Sequence, residues 1–233
     1  MSVQQFDLEA LQRDPVIIST REQIVEAGAI LFQRNLTDLG GGNISVRVGD
    51  VILMTPSYAG ARHHWKLKPE NILICSEAGE VLAGDGVISR EAEAHLRLQN
   101  EFRDYGSAMV HCHARNVMVF AALAKSMPMV LEATLKFGDA PITEYAPSHN
   151  SNLSEYVYQA MKGRESMMQK HAACVIMPWH GLFCFGKDLD LVLDAAERMD
   201  TNAYCLLMAG AAGMSAEMES ARQNLVTSIS KYK

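Results

Sequence analysis

A chain of 233 residues with 48% hydrophobic and 21% charged side chains has the composition of an ordinary globular protein with a substantial core. Its net charge of -6 argues against nucleic acid as a partner, and no apolar run approaches the length of a membrane span. Five cysteines without a Cys-x-x-Cys spacing, and an acidic N-terminus unlike a signal peptide, predict a protein of the cytoplasm with reduced thiols.

Hydrophobic spacing predicts helices interspersed with short strands along the chain. Apolar residues recur with helical spacing in segments 21–35 (with Thr20 and Gln23 as a capping box), 89–102, 116–124, 153–162 and 189–208. Strand patterns cover 44–48, 51–55, 71–75, 80–82, 107–113, 141–144, 172–177 and 182–185. Hairpins mixed with helices predict an α/β fold, a single-domain α/β/α sandwich with a largely antiparallel central sheet. We expect one domain over 1–233, with its core at about 17–208 and a more polar C-terminal tail at 209–233.

The first chemically suggestive segment is rich in glycine and leads into the first predicted strand. Gly40, Gly41 and Gly42 precede Asn43, and Ser57 follows the next strand. Glycine lets a backbone approach an anion closely, and Asn and Ser side chains donate hydrogen bonds. The segment lacks the Gly-Lys-Ser/Thr ending of a P-loop. It is therefore either an anion-binding loop or a plain glycine-rich turn.

The start of the helix predicted at 89–102 is a second candidate site for an anion. Free N–H groups and positive potential at a helix N-terminus favour a phosphate, and the guanidinium of Arg90 adds donors. With Ser89 as the predicted N-cap, Glu91 and His95 are four residues apart and share a helix face. The alternative is a capped helix start with a solvated glutamate.

Two histidines at the end of an apolar run predict a metal site. In a strand, His111 and His113 project to the same side while Cys112 faces away. A third imidazole, at His180 before Gly181, would complete the three protein ligands typical of a catalytic zinc. By itself, the His-x-His pair is a weak signal, and ordinary polar residues at a strand end are the more common interpretation.

Taken together, these segments resemble the class II aldolase and epimerase family of sugar phosphates, in an ordered run over about residues 17 to 208. The matching motifs are Gly42-Asn43-Ile44-Ser45-Val46-Arg47, Thr55-Pro56-Ser57, Ser89-x-Glu91-x-x-x-His95, Val110-His111-x-His113 and His180-Gly181-Leu182. The resemblance implies Zn2+, or another divalent metal such as Mn2+ or Co2+, held by the three histidines of these motifs. It also implies a homo-oligomer, commonly a tetramer, with active sites between subunits.

The family's chemistry implies roles for the other motif residues. Glu91 would act as an acid/base, and Asn43, Ser57 and Ser89 would bind the substrate phosphate, together with Gly42 of the same loop. The implied reaction is cleavage of a ketose 1-phosphate to dihydroxyacetone phosphate and an aldehyde, with metal stabilising the enediolate charge. A methylthioribulose-1-phosphate dehydratase and a sugar-phosphate 4-epimerase are the enzymatic alternatives. A non-enzymatic relative resembling the adducin head is the other, and such a module should lack the metal ligands.

Three departures from the family pattern affect the site. Tyr58 replaces the glycine after Thr-Pro-Ser, and Arg90 replaces the second serine of Ser-Ser-Glu, where it could bind phosphate differently. Glu132, four residues after Pro128, stands where fuculose-phosphate aldolases carry a catalytic tyrosine. Glu132 is therefore interpreted either as a second acid/base contributed across a subunit boundary or as a surface glutamate.

The other end of the substrate is predicted from apolar loop residues. If some of them line the site, an apolar 5-deoxy or 5-methylthio tail is favoured over a phosphorylated one; most could equally belong to the core. The residues are Tyr58, Trp65, Met127, Met129, Leu131 and Phe137. The preferred substrate is therefore a 5-deoxypentulose or methylthioribulose 1-phosphate.

Overall fold

A computed structural model describes residues 6–231 of the chain. Within that range the helices are α1 Leu8–Arg13, α2 Pro15–Gln33, α3 Ala59–His63, α4 Ala92–Glu101, α5 Val117–Ala122, α6 Glu132–Leu135, α7 Ser151–Met161, α8 Glu165–Lys170, α9 Leu189–Ala211 and α10 Ser215–Ser230. The strands are β1 Asn43–Val48, β2 Val51–Met54, β3 Leu73–Ser76, β4 Val81–Ala83, β5 Ala108–Cys112, β6 Ala172–Met177 and β7 Gly181–Gly186. No helix in the described part of the chain is long and apolar enough to cross a membrane.

The strands form one seven-stranded sheet in the order β4-β3-β2-β1-β5-β7-β6, and every neighbouring pair is antiparallel. The fold is an α/β/α sandwich, which confirms the predicted class. Segment 141–144, predicted as a strand, does not join the sheet as one. Only Ile142 forms an isolated parallel bridge, to Ile176 at the edge of β6. Pro141, the first residue of the segment, has no backbone N–H to donate, so the segment cannot extend its pairing in that direction.

Each face of the sheet is covered by its own set of helices. Helices α2, α5 and α9 cover one face, and the apolar stripe of α2 buries Ile17, Ile24 and Leu31 against it. On the opposite face, α4, α7 and α8 pack over residues such as Phe183 and Phe185 of β7. Because side chains alternate along a strand, β1 and β5 supply apolar residues to the first face and the polar candidates to the second.

Two helices begin at residues other than those predicted, and their N-terminal caps show where each one starts. Helix α2 begins at Pro15 rather than residue 21, because the Asp14 side chain accepts hydrogen bonds from the backbone N–H groups of residues 16 and 17. Thr20 therefore lies inside the helix, where its hydroxyl donates to Val16 O. Helix α4 begins at Ala92 with Glu91 at the N-cap position, instead of the predicted Ser89.

The C-terminal tail is largely helical. Helix α10 occupies most of it, and Arg222 donates to Met129 O and to the Asp139 carboxylate. These contacts attach the tail to the segments on both sides of α6.

Candidate active site

The sheet register brings the polar candidates of three strands together on the face covered by α4. Asn43 of β1 lies opposite His111 of β5, which in turn lies opposite Phe183 of β7. The imidazole of His111 stacks on the Phe183 ring at 4.1 Å between centroids. Glu91 and His95 approach this row from α4. Strand pairing and one helix thus assemble residues that lie far apart along the chain.

The three predicted metal ligands converge at one end of the sheet. One ligand atom each from His111, His113 and His180 lies within 4.8 Å of the others. His111 is fully buried at the end of β5, His113 follows it, and His180 comes from the turn between β6 and β7. Neutral imidazole nitrogens at this spacing can bind one divalent cation.

Hydrogen bonds at Nδ1 orient the rings of His111 and His113 and leave the Nε2 atom of each ring available for a cation. The Nδ1–H of His111 donates to Leu182 O at 3.0 Å, and no described residue hydrogen-bonds its buried Nε2. Burial lowers the pKa of His111 well below its ordinary value, because the charged form is poorly solvated there, so the imidazole is neutral. The Nδ1–H of His113 donates to the Asp38 carboxylate at 3.0 Å. A buried nitrogen lone pair without a partner, and a histidine oriented by a carboxylate, fit a bound metal ion.

Two glycines leave the space that the imidazoles occupy. A Cβ on Gly41 would lie 2.2 Å from Cε1 of His113. A Cβ on Gly181 would lie 2.9 Å from Cε1 of His111 and 3.0 Å from Cδ2 of His113. Any larger residue at either position would displace a ring, so both glycines are structural requirements of the site.

Glu91 faces the same point as the imidazoles. Its Oε1 accepts from Nε2 of His180 at 3.1 Å, and its Oε2 lies 3.5 Å from Nε2 of His111. Burial alone would raise the pKa of this carboxyl, but the hydrogen bonds that it accepts from His180 and from the amide of Asn43 hold that pKa below its usual range. The side chain is therefore an ionised carboxylate, able to accept a proton.

A buried network positions Asn43 and, through it, Glu91. Burial lowers the pKa of His95 to about 4, only partly offset by Glu91, so the ring is neutral. Its Nδ1 lies 2.7 Å from the Ser45 hydroxyl and its Nε2 contacts Oδ1 of Asn43. An amide oxygen only accepts, so Nε2 carries the proton and Nδ1 accepts from Ser45. The Asn43 amide nitrogen is thereby turned toward Glu91 Oε2, at 2.6 Å, and the Ser89 hydroxyl, at 3.1 Å.

The predicted phosphate-binding residues line one cavity of about 470 Å³, part of it open to solvent. Its walls include all the candidates predicted from the two anion motifs: Gly42, Asn43, Ser57, Ser89 and Arg90. Gly42 has φ +96°, a backbone conformation that glycine adopts without strain. Tyr58, the residue that departs from the family pattern, also lines the cavity and stacks on the Arg62 guanidinium.

A second cavity, wide open to solvent, adjoins the first and was not predicted from the sequence; its volume of about 690 Å³ includes open solvent. The two share Gly40, Gly41, Arg90 and Glu91, and His113 and His180 line the second. Glu91 therefore stands between the two cavities, with two of the imidazoles on the second. The outer wall of the second carries the exposed pair Tyr145 and Trp179, together with Pro147 and Ser148.

Glu132 is not brought to this site within the chain. It is exposed at the start of α6 and lines a different groove, with Ala133, Lys136 and Arg198. Its loop is held firmly, because Asn202 accepts from Val130 N at 2.8 Å and donates to the carbonyl of residue 128 at 2.9 Å.

Of the two interpretations left open for the apolar loop residues, the structure supports the core for most of them. Trp65, Met127, Met129 and Phe137 are buried in the core, at 1% exposure or less, because each packs beneath a helix or loop on the α2–α9 side of the sheet. Leu131 lines a groove beside α9 instead. An aromatic residue that does line the second cavity is Trp179, which was not selected from the sequence although it directly precedes His180.

An antiparallel sheet between two helical layers, with three convergent imidazoles beside a carboxylate, defines an α/β/α protein with a candidate metal centre. The chain belongs to the family described as Class II Aldolase and Adducin N-terminal domain, whose model matches residues 22–207. Membership confirms the resemblance seen in the sequence and supports a lyase activity.

Individual relatives agree with this assignment. The 5-methylthioribulose-1-phosphate/5-deoxyribulose-1-phosphate aldolase of Rhodospirillum rubrum is 29% identical over 185 residues, 78% of each chain. The 5-deoxy-D-ribulose 1-phosphate aldolase of Bacillus thuringiensis is 28% identical over 182 residues, 77% of this chain and 80% of its own. A solved L-fuculose 1-phosphate aldolase has the same fold, with a TM-score of 0.74 at 24% identity, over 88% of this chain and 95% of its own.

Proposed function

We propose that this chain is a metal-dependent aldolase that cleaves a ketose 1-phosphate to dihydroxyacetone phosphate and an aldehyde. The observation that carries the proposal is the convergence of His111, His113 and His180 beside Glu91, at the junction of two cavities. One cavity has the donors of a phosphate site, and the other has room for the rest of a sugar.

The three imidazoles would hold the cation, which we propose to be Zn2+, with Mn2+ or Co2+ as alternatives. The support is chemical: the site supplies three nitrogen donors, one of them buried without a partner, and a carboxylate beside them. When bound, a divalent cation supplies Lewis-acid stabilisation of the negative charge that develops on oxygen as the C3–C4 bond breaks.

Glu91 is the proposed acid/base for carbon C3. Cleavage breaks the C3–C4 bond, leaves its electron pair on the dihydroxyacetone phosphate half, and requires a proton at C3 and removal of one from the C4 hydroxyl. In the synthetic direction the ionised Glu91 would remove the C3 proton from dihydroxyacetone phosphate, and Asn43 holds its carboxylate in one orientation for that step. In cleavage the same group would first take a proton from solvent and then deliver it to C3, while the C4 hydroxyl proton leaves through the second acid/base.

The phosphate would bind between the glycine-rich loop and the residues before α4. The hydroxyls of Ser57 and Ser89 and the guanidinium of Arg90 line that cavity, and Gly42 allows close approach of the backbone. Asn43 donates to Ser89, so the phosphate and proton-transfer ends of the site share one residue.

Glu132 is proposed as the group that takes the C4 hydroxyl proton, provided that a neighbouring copy presents it. Support comes from its exposure and from the firm attachment of its loop through Asn202. This role requires a homo-oligomer, and we propose a tetramer. Action in the cytoplasm stays a prediction.

For the substrate, we propose a 5-deoxypentulose or 5-methylthiopentulose 1-phosphate. The two relatives described above carry those substrates in their names, at 29% and 28% identity. The aromatic pair Tyr145 and Trp179 on the wall of the second cavity is compatible with a tail that lacks a charged group.

Product analysis of the metal-loaded protein tests the proposal. We expect 5-deoxyribulose 1-phosphate or 5-methylthioribulose 1-phosphate to yield dihydroxyacetone phosphate plus the two-carbon aldehyde of the tail. A dehydrated ketone or an isomer as the product would instead assign the dehydratase or epimerase reaction. Absence of any conversion over a panel of ketose 1-phosphates would contradict an enzymatic role.

A further inference from the structure

Trp179 occupies a backbone position that tryptophan rarely adopts. Met177 of β6 pairs with Gly181 of β7, so Pro178, Trp179 and His180 form the whole turn of the hairpin. Trp179 has φ +55°, in the left-handed region where Gly or Asn is usually found in such turns. Its side chain is 63% exposed. Neither backbone preference nor core packing explains a tryptophan here, and such strain tends to persist at functional sites.

The indole is held at the wall of the second cavity. It packs edge-to-face against Tyr145, with ring centroids 5.2 Å apart and an interplanar angle of 77°. Both rings line the cavity that also contains His113 and His180. Pro147 extends the apolar wall. Because His180 is the next residue, the turn that supplies a proposed metal ligand also places the indole beside it.

We propose that Trp179 is the specificity-determining residue that binds the tail of the substrate beyond C4, with Tyr145 supporting it. This inference rests on the proposed function, and it commits to one chemical class, an uncharged apolar tail long enough to reach the rings, above all a methylthio group. Thioether sulfur contacts aromatic rings favourably, and the aromatic wall offers little to a charged or hydroxylated tail.

The positions of the lining residues are consistent with this division. Ser57 and Ser89 line only the first cavity, Arg90 and Glu91 line both, and His113 and His180 line only the second. The far wall of the second cavity consists of Tyr145, Pro147, Ser148 and Trp179. A substrate with its phosphate in the first cavity and its reacting carbons at the imidazoles therefore directs its tail toward the aromatic pair.

The test compares two aldehydes in the synthetic direction on the metal-loaded protein. Dihydroxyacetone phosphate is condensed with acetaldehyde or with methylthioacetaldehyde: a bond forms between C3 and the aldehyde carbon, C3 loses a proton and the aldehyde oxygen gains one. Trp179→Gly suits the left-handed turn and should fold. We expect it to raise the KM for methylthioacetaldehyde up to about tenfold, with a smaller effect on acetaldehyde and none on the KM for dihydroxyacetone phosphate.

Two further variants separate side-chain contact from general damage. Trp179→Phe keeps an aromatic ring and should recover most of the preference. Tyr204→Ala removes another exposed aromatic residue, on α9 and outside the set that lines this cavity. This variant should keep the full preference for methylthioacetaldehyde. An equal loss with both aldehydes in Trp179→Gly, not recovered by Trp179→Phe, would make Trp179 a support for His180 and overturn the inference.

A binding measurement makes the inference independent of turnover. Calorimetric titration with the uncleavable 5-methylthiopentitol 1-phosphate and 5-deoxypentitol 1-phosphate should show a preference for the first that Trp179→Gly abolishes. If the wild type forms no aldol product but shows this preference, the proposed reaction is wrong and the role of Trp179 stands. Equal binding of the two compounds by the wild type, or a preference that survives in Trp179→Gly, overturns the role of Trp179. A changed oligomeric state of Trp179→Gly also overturns it, because Tyr145 and Trp179 would then form a subunit interface.

Discussion

Replacing Gly181 by alanine should damage the proposed metal centre while leaving the fold in place. The added Cβ would lie 2.7 Å from Cys112 O, 2.9 Å from Cε1 of His111 and 3.0 Å from Cδ2 of His113. None of these atoms is the end of a flexible side chain. Restoring an ordinary contact, at 3.4 Å or more, requires the His111 ring to move by about 0.5 Å and the Cys112 carbonyl by about 0.7 Å.

That displacement is large for a metal site and moderate for a protein core. Metal–ligand distances tolerate about 0.2 Å, so we expect at least a ten- to hundredfold loss of Zn2+ affinity. Overpacking of this kind costs about 1–3 kcal/mol of unfolding free energy, which a domain of this size should withstand. Titration of the metal-free protein with Zn2+ against a competing chelator measures the affinity, and thermal unfolding of the same metal-free sample checks the fold.

A second glycine provides the matched control. A Cβ on Gly210, inside α9, would meet only Ser215 Oγ, at 3.8 Å. Gly210→Ala should therefore keep the Zn2+ affinity and favour the helix by about 0.5–1 kcal/mol. Wild-type affinity in a folded Gly181→Ala protein would refute the reasoning that this glycine makes room for the metal ligands.

Three other predictions address the catalytic groups and the buried network. Glu91→Gln should keep the metal but lower turnover about a hundred- to ten-thousandfold in steady-state assays, and normal turnover would remove Glu91 from the mechanism. Burial lowers the pKa of His95 from 6.5 to about 4, so the unfolded chain binds the extra proton first and the free energy of unfolding should fall by about 2 kcal/mol from pH 7 to pH 5. Urea unfolding of the metal-free His95→Gln protein should show a correspondingly smaller fall of the unfolding free energy between pH 7 and pH 5. The same pH dependence in the variant and the wild type would contradict a neutral, buried His95. Glu132→Gln should lower turnover but leave unchanged both the metal content and the solvent exchange of the C3 proton of dihydroxyacetone phosphate. Loss of both turnover and exchange would indicate that Glu132 supports the structure of the site. Loss of neither would make Glu132 a surface residue without a catalytic role.

Local patterns explain why much of the fold could be predicted. The alternation of polar and apolar residues in β1, the short apolar runs of β2 and β5 and the helical spacing in α9 extend over a few residues, and they set element type without reference to the rest of the chain. The start of α2 was misplaced because two cap signals competed. Asp14 followed by Pro15 is the stronger one, since it supplies a side-chain acceptor and a fixed φ at the first helical position.

Contacts between distant segments explain what could not be predicted. The His-x-His spacing indicates a metal site locally, but the orientation of His113 by Asp38 joins residues 75 positions apart and depends on the loop path. The same holds for Tyr145 against Trp179. Apolar loop residues such as Trp65 and Phe137 look alike in sequence whether they line a cavity or fill the core, because hydrophobicity alone does not specify which.

The most direct test of the central claim is the metal content of the wild type and of His111→Ala, measured by elemental analysis alongside cleavage of the preferred ketose 1-phosphate. The wild type should carry about one divalent ion per chain, and the variant should lose both ion and cleavage. His171→Ala, which alters a histidine outside the cluster, should lose neither. Full retention of metal and cleavage in His111→Ala would contradict the assignment of the three-histidine site.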